Sequence, residues 1–136
     1  MISYIEKIPS ADEFNTLTNV VGWGAADNGI AETALANSLY TVCAYDGERI
    51  VGFGRLIGDG VMFVYVQDIM VLPEYQGRRI GTGIMERITK KIHEYKQIGG
   101  DLRAYLGASA GKEDFYKRFG FVTRKEAGLG AGMVLL

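Results

Sequence analysis

The chain has 136 residues, of which 48% are hydrophobic and 23% charged, a mix that suits one domain over 1–136 and excludes disordered, collagen-like and coiled-coil classes. Fifteen Lys and Arg against sixteen Asp and Glu give a formal net charge of -1, so no bulk positive field argues for a nucleic acid or an anionic membrane as partner. A single cysteine, Cys43, and a single histidine, His93, exclude a disulfide framework and a His/Cys metal site.

No apolar run reaches the roughly 20 residues that span a bilayer, and residues 1–7 lack a basic segment followed by a long apolar stretch. The expectation is a cytoplasmic protein with no metal. The nineteen glycines are scattered between periodic segments and form no low-complexity tract.

Residues 2–8 alternate apolar and polar as a half-buried strand does, and Ser10 is placed to cap a helix from residue 11 to about residue 20. Gly22-Trp23-Gly24 ends that helix, and residues 32–39 read as a second short one. Residues 40–46 and 49–57 are strands joined at Asp46-Gly47, a strong hairpin signal. After the turn Gly58-Asp59-Gly60, residues 61–72 supply a third consecutive strand.

Beyond Pro73 the apolar period changes to that of a helix, with Ile80, Ile84, Ile88 and Ile92 on one face and Gly99-Gly100 at its end. Residues 102–106 read as a strand parallel to the one before the helix. A short helix over 112–119 stops at Gly120, and residues 121–124 and 132–136 read as two further strands.

The segment Val71-Leu-Pro-Glu-Tyr-Gln-Gly-Arg-Arg-Ile-Gly-Thr-Gly83 lies between a buried strand and a helix start, where unpaired backbone N–H groups and the helix dipole favour an anion. Its glycines allow close approach of a ligand, and Arg78 and Arg79 concentrate positive charge. Two cations in a first helical turn oppose the dipole, a local cost that an anion would relieve. The bland alternative is a tight turn followed by a solvated helix start. A P-loop needs four residues between its glycines and then Lys-Ser/Thr, which this segment lacks. A dinucleotide fingerprint needs an acid at the end of the next strand, and Asp101 begins that strand instead.

Gln76-Gly77-Arg78-Arg79-Ile80-Gly81, preceded by Asp68-Ile-Met-Val-Leu-Pro73, resembles the acyl-CoA-binding motif of the GNAT acetyltransferase superfamily. The run Phe115-Tyr116-Lys-Arg-Phe119-Gly120-Phe121 is similar to the family's second signature, and the two stand in the right order over nearly the whole chain. Val21-Gly22-Trp23, Gln67-Asp68 and Gly132-Met133 resemble the small arylalkylamine N-acetyltransferase-like members. The chain departs from the pattern at Arg79, where the motif has its first glycine, and in the absence of an Asn from residues 107–114.

The resemblance implies an α/β (α+β) fold with a mostly antiparallel twisted sheet of about six to seven strands, split in the middle and flanked by about four helices. It implies acetyl-CoA as cosubstrate. The donor would be held by Met70, Val71 and Leu72, by the loop residues Gln76, Gly77, Arg78, Arg79, Ile80, Gly81, Thr82 and Gly83, and by Phe115 and Tyr116. Its pyrophosphate would lie on loop N–H groups, and its pantetheine arm would pair with the backbone of Met70 and Leu72. Tyr116 falls at the general-acid position of the family, its alternative being a core tyrosine between Phe115 and Phe119.

Asp68, an acid inside an apolar strand, is the candidate general base, the alternative being a salt bridge to Arg55 on the neighbouring strand. The resemblance places the acceptor site at the region after the first strand and the sheet's open face, which implies Trp23, Tyr40 and Phe63 as candidates for its wall, with Tyr45, and more weakly Tyr65 and Tyr105, as further members and core packing as the default for each. His93 reads as an exposed helix residue and Cys43 as a buried small hydrophobe. The expected function is direct acetyl transfer to a primary amine of a small molecule. The alternatives are a CoA-binding regulatory module without turnover, a protein N-acetyltransferase, and a generic phosphate-binding fold. Dimers are common in the family, so a homodimer is a further expectation of the resemblance.

Overall fold

Five strands make one open sheet in the spatial order β1-β2-β3-β4-β5, the same as their order in the chain. They are β1 (Ile2–Ile5), β2 (Tyr40–Asp46), β3 (Arg49–Gly58), β4 (Phe63–Val71) and β5 (Arg103–Leu106). The helices are α1 (Ala11–Val20), α2 (Asn28–Ala36), α3 (Ile80–Lys96) and α4 (Glu113–Lys117). This computed structural model describes all 136 residues, and its contacts gather into two units, Met1–Tyr105 and Leu106–Leu136.

In the first unit, β1 to β4 run antiparallel to their neighbours, because each pair from β2 onward is joined by a turn too short for a crossover. Asp46-Gly47 closes the β2/β3 hairpin as expected, with Gly47 at φ +60. One face of the sheet carries α3, whose isoleucines at 80, 84, 88 and 92 are all buried. The close approach has a cause in β3: a Cβ on Gly54 would stand 2.8 Å from Cγ2 of Ile84 and 2.7 Å from Cδ1 of Ile69. On the other face Phe14 of α1 meets Phe53 edge-on, with ring centroids 5.5 Å apart. No helix is long and apolar enough to cross a membrane.

Several boundaries shift from the sequence expectation for local reasons. β1 stops at Ile5 because the Lys7 N–H turns back to the Ile5 carbonyl. Asp27 caps α2 by accepting from the Gly29 N–H, so that helix starts at 28 and not 32. Oδ1 of Asp59 accepts from the N–H groups of Val61, Met62 and Phe63, which delays β4 to residue 63.

The second unit contains α4 and no strand of its own beyond the end of β5. Residues 121–124 and 132–136 are not strands, so the sheet has five strands and not six or seven. The Thr123 hydroxyl donates to Oε1 of Glu126 and accepts from the Glu126 N–H, and the Leu129 N–H turns back to the Arg124 carbonyl. Those bonds coil the backbone over 123–129 and take groups that a ladder over 121–124 would need.

Candidate active site

The phosphate-loop segment begins where β4 leaves the sheet. The Leu72 N–H donates to the Val51 carbonyl at 2.9 Å, and Pro73–Tyr75 then makes one 3-10 turn. Gly77 at φ +80 and Arg79 at φ +64 are both left-handed, and they swing the chain into α3. Arg79 therefore occupies a backbone conformation that suits glycine, at a strain cost of about 1–2 kcal/mol. The first helical bond runs from the Gly83 N–H to the Arg79 carbonyl, so the N–H groups of Ile80 and Gly81 precede the ladder and face outward from the helix end. A Cβ on Gly77 would meet nothing within 4 Å, so the space beside the turn at Gly77 is open. Gly83 is different, for its N–H belongs to the helix and its α-carbon is buried.

The loop's charge is held by an aromatic residue that the sequence reading passed over. The Arg78 guanidinium lies 4.8 Å from the ring centroid of Tyr75, and that of Arg49 lies 5.5 Å away. The Tyr75 hydroxyl donates to Oδ2 of Asp46 at 2.6 Å, which raises the phenol above its ordinary value and lowers Asp46 below its own. An aromatic immediately before a Gln-Gly-Arg-Arg run was the available signal.

The strand register decides which backbone groups of β4 are exposed. Leu72 is hydrogen-bonded to β3, and Met70, opposite Phe53, lies two residues before it. By the alternation of an antiparallel ladder both therefore turn their N–H and C=O groups inward, and Val71 turns outward. The expectation that Met70 and Leu72 offer their backbone to the donor's arm is corrected on this point, and both side chains are buried. The Val71 carbonyl accepts from Nε2 of Gln76 at 3.2 Å. β5 has four residues against nine in β4 and meets β4 at its start, where the Arg103 N–H donates to the Met62 carbonyl. No strand pairs with β4 near Val71 on the side away from β3.

Asp68 sits in β4 at φ +57. Arg55 Nε donates to its Oδ2 at 2.8 Å and Gln67 Nε2 to its Oδ1 at 3.1 Å, so each carboxylate oxygen has a side-chain donor. This matches the salt-bridge alternative for Asp68. In the second unit, Tyr116 lies on α4 with its ring 5.1 Å from Phe115 and 6.5 Å from Phe121, and burial pushes its hydroxyl above the ordinary phenol value. Phe115 also packs edge-on against Phe119 at 5.3 Å.

A family model described as an acetyltransferase (GNAT) domain matches residues 36–123, which include the loop, β4 and the Phe115–Phe121 run. This chain belongs to the GNAT acetyltransferase family. Among curated relatives, the chloroplastic GCN5-related N-acetyltransferase 1 of Arabidopsis thaliana is 30% identical over 114 residues, covering 82% of this chain and 56% of the relative. The chain thus spans little more than half the length of that relative. A probable acetyltransferase from methicillin-resistant Staphylococcus aureus has 32% identity and a TM-score of 0.89, with 100% of this chain and 99% of that one covered. A GNAT family acetyltransferase of Streptococcus pneumoniae has 29% identity and a TM-score of 0.83, over 100% of this chain and 98% of its own.

The three aromatics expected to wall the acceptor pocket of this GNAT chain have different surroundings. Tyr40 is buried in β2 on the α3 face, its ring 5.2 Å from Lys91 Nζ and its hydroxyl donating to Oε1 of Glu6. Its place is in the packing. Phe63 stands at the start of β4 against Tyr105, with centroids 5.9 Å apart. Trp23 is 52% exposed in the loop after α1, a loop braced by the buried Asn15, which bonds both N–H and C=O of Ala26. Only Trp23 and Phe63 present ring surface to solvent.

Proposed function

We propose that this chain transfers an acetyl group from acetyl-CoA directly to a primary amine of a small molecule. The observation that carries the reading is the left-handed turn at Gly77 and Arg79, which leads into outward-facing N–H groups at the start of α3 with the Arg78 cation held on Tyr75. Backbone donors, a helix dipole and a fixed guanidinium together form the donor set that suits a pyrophosphate. The open edge of β4 at Val71 suits an amide-bearing arm that adds to the sheet as a strand would. When bound, acetyl-CoA supplies an activated thioester carbon for attack by the amine.

The chain's own residues orient that carbon and manage protons. Val71 offers its N–H along the β4 edge. Tyr116, assigned by its place in the Phe115–Phe121 run, is the proton donor to the departing thiolate, a role for which a half-buried phenol raised above its ordinary value remains protonated at neutral pH. Asp68 was the expected base; with both oxygens engaged it fits better as a holder of the strand, and the amine's proton then leaves through water. An exposed Trp23 favours an acceptor with an apolar or aromatic body. The reaction is placed in the cytoplasm.

The test is calorimetric titration with acetyl-CoA, followed by thiol release with aromatic amines, polyamines and a basic peptide. Binding with release on a small amine supports the reading. Release only on the peptide assigns a protein substrate, binding without any release assigns a regulatory module, and equal affinity for ATP assigns a generic phosphate site.

A further inference from the structure

Between β3 and β4 the ladder changes register. Phe53 faces Met70 and Arg55 faces Gln67, so the single residue Gly54 opposes the two residues Asp68 and Ile69. That is a β-bulge, and Asp68 holds its left-handed turn at φ +57. Non-glycine residues adopt this conformation in a strand only where their surroundings impose it. Here the surroundings are Arg55, whose side chain is 14% exposed and that of Asp68 11%. One guanidinium edge binds the bulge through Nε to Oδ2 of Asp68 at 2.8 Å. Nη1 reaches the end of α2 and the turn after it, donating to the Ala34 carbonyl at 3.0 Å and to the Ser38 hydroxyl at 3.2 Å.

A buried charged pair is a costly way to join two apolar elements, and hydrophobic residues of similar volume often serve stability as well or better. What apolar packing cannot do is fix direction, whereas a planar guanidinium with three acceptors sets the angle between them. The two elements joined here matter to the proposed reaction. The bulge ends two residues before Val71, whose outward backbone is the proposed track of the acyl donor. α2 follows the loop that presents Trp23.

We propose that Arg55 is a positioning residue for acyl transfer, which, through Asp68, holds the β4 bulge and the end of α2 in one clamp. The donor's strand track and the acceptor-side helix are thereby kept in register. This rests on the acetyltransferase reading. Asp68 acts in it through its geometry and takes no proton, and a misplacement of about 1 Å at the reacting centre costs on the order of a hundredfold in rate.

The experiment compares wild type with Arg55→Lys, Arg55→Met, Asp68→Asn, Asp68→Ala and the double variant Arg55→Met/Asp68→Ala, after urea unfolding has shown which are folded; Arg55→Lys is the mild member. The expected result is a fall in kcat of about tenfold to a hundredfold for Arg55→Met and Asp68→Ala, with KM for acetyl-CoA within about twofold and the double variant no worse than either single. Asp68→Asn, which keeps the turn preference and an acceptor for Arg55, recovers most of the loss and leaves the pH profile of kcat unchanged. Amide hydrogen exchange at Met70 and Leu72, whose N–H groups turn toward β3, and at the end of α2 accelerates in both Arg55 variants.

If Asp68→Asn is as inactive as Asp68→Ala and the acid limb of its profile is lost, Asp68 is the base and the proposal is overturned. Unchanged exchange and kcat in Arg55→Met also overturn it. Should wild type turn over no amine while exchange still responds to Arg55, the acetyltransferase reading fails and the clamp is structural only.

Discussion

The ring of Tyr4 on β1 lies where a side chain on residue 83 of α3 would be: a Cβ built on Gly83 runs into the Tyr4 hydroxyl. The contact is sealed by Arg87, whose guanidinium lies 3.9 Å from the Tyr4 ring centroid while its Nη1 donates to the Gly83 carbonyl at 3.0 Å. Gly83 reads as a ligand glycine in the motif, yet its missing side chain is what lets β1 meet the helix. Gly83→Ala should destabilise by about 1–3 kcal/mol through overpacking, and Tyr4→Ala in the same chain should restore part of it. Urea unfolding of the two single variants and the double variant checks this.

Arg79 holds a left-handed backbone that glycine would hold without strain. Arg79→Gly should gain up to about 1 kcal/mol, since strain relief outweighs the extra freedom of the unfolded chain. The same change removes a cation from the loop, so KM for acetyl-CoA should rise. Thermal unfolding and a donor titration should move in opposite directions; a variant that is less stable, or that binds the donor more tightly, contradicts the role given to the residue.

Ser10 and Glu13 form a reciprocal cap on α1, and Glu13 also accepts from the Tyr45 hydroxyl at 2.8 Å. Burial raises the Glu13 carboxyl, but the Ser10 N–H, the Tyr45 hydroxyl and Lys7 together outweigh it and leave the carboxyl below its ordinary value. A carboxyl depressed by folding stabilises the protein above its unfolded value and loses that contribution as pH falls through the folded value. The gap in stability between wild type and Glu13→Gln should therefore be full at neutral pH and close as the pH drops below about 4. Ser10→Ala should cost about 1 kcal/mol at neutral pH.

Burial pushes the Cys43 thiol up to about 12, and its Sγ contacts the Lys7 carbonyl at 3.4 Å. Native protein should resist alkylation at pH 8 and react at one site once unfolded in urea. Mass spectrometry of the two samples decides it, and rapid native labelling would show that the β1/β2 edge opens.

Tyr116→Phe keeps the ring contacts with Phe115 and Phe121 and removes only the hydroxyl. It should lower kcat by about a hundredfold or more while leaving donor affinity unchanged. Because burial raises the hydroxyl above the ordinary phenol value, wild-type kcat should show no loss from Tyr116 ionisation below about pH 10. A Tyr116→Phe variant with full activity would assign the residue to packing.

The elements that sequence alone determined are those governed by local rules. The four isoleucines of α3, the Ser10 cap and the Asp46-Gly47 hairpin each depend on residues a few positions apart. They were legible because helical period, turn conformation and capping are short-range physics. The tertiary structure decided whatever depends on which groups meet across the chain. Whether Asp68 is a free acid or Arg55's partner turns on a one-residue bulge between strands, and a shift of one residue likewise turns Met70 and Leu72 inward and Val71 outward. The same holds for Tyr40, whose β pattern is right but whose face is set by α3, and for residues 121–124, which bend where Thr123 and Glu126 bond each other locally. Apolar content says that a segment can be buried; only the assembled sheet says against what.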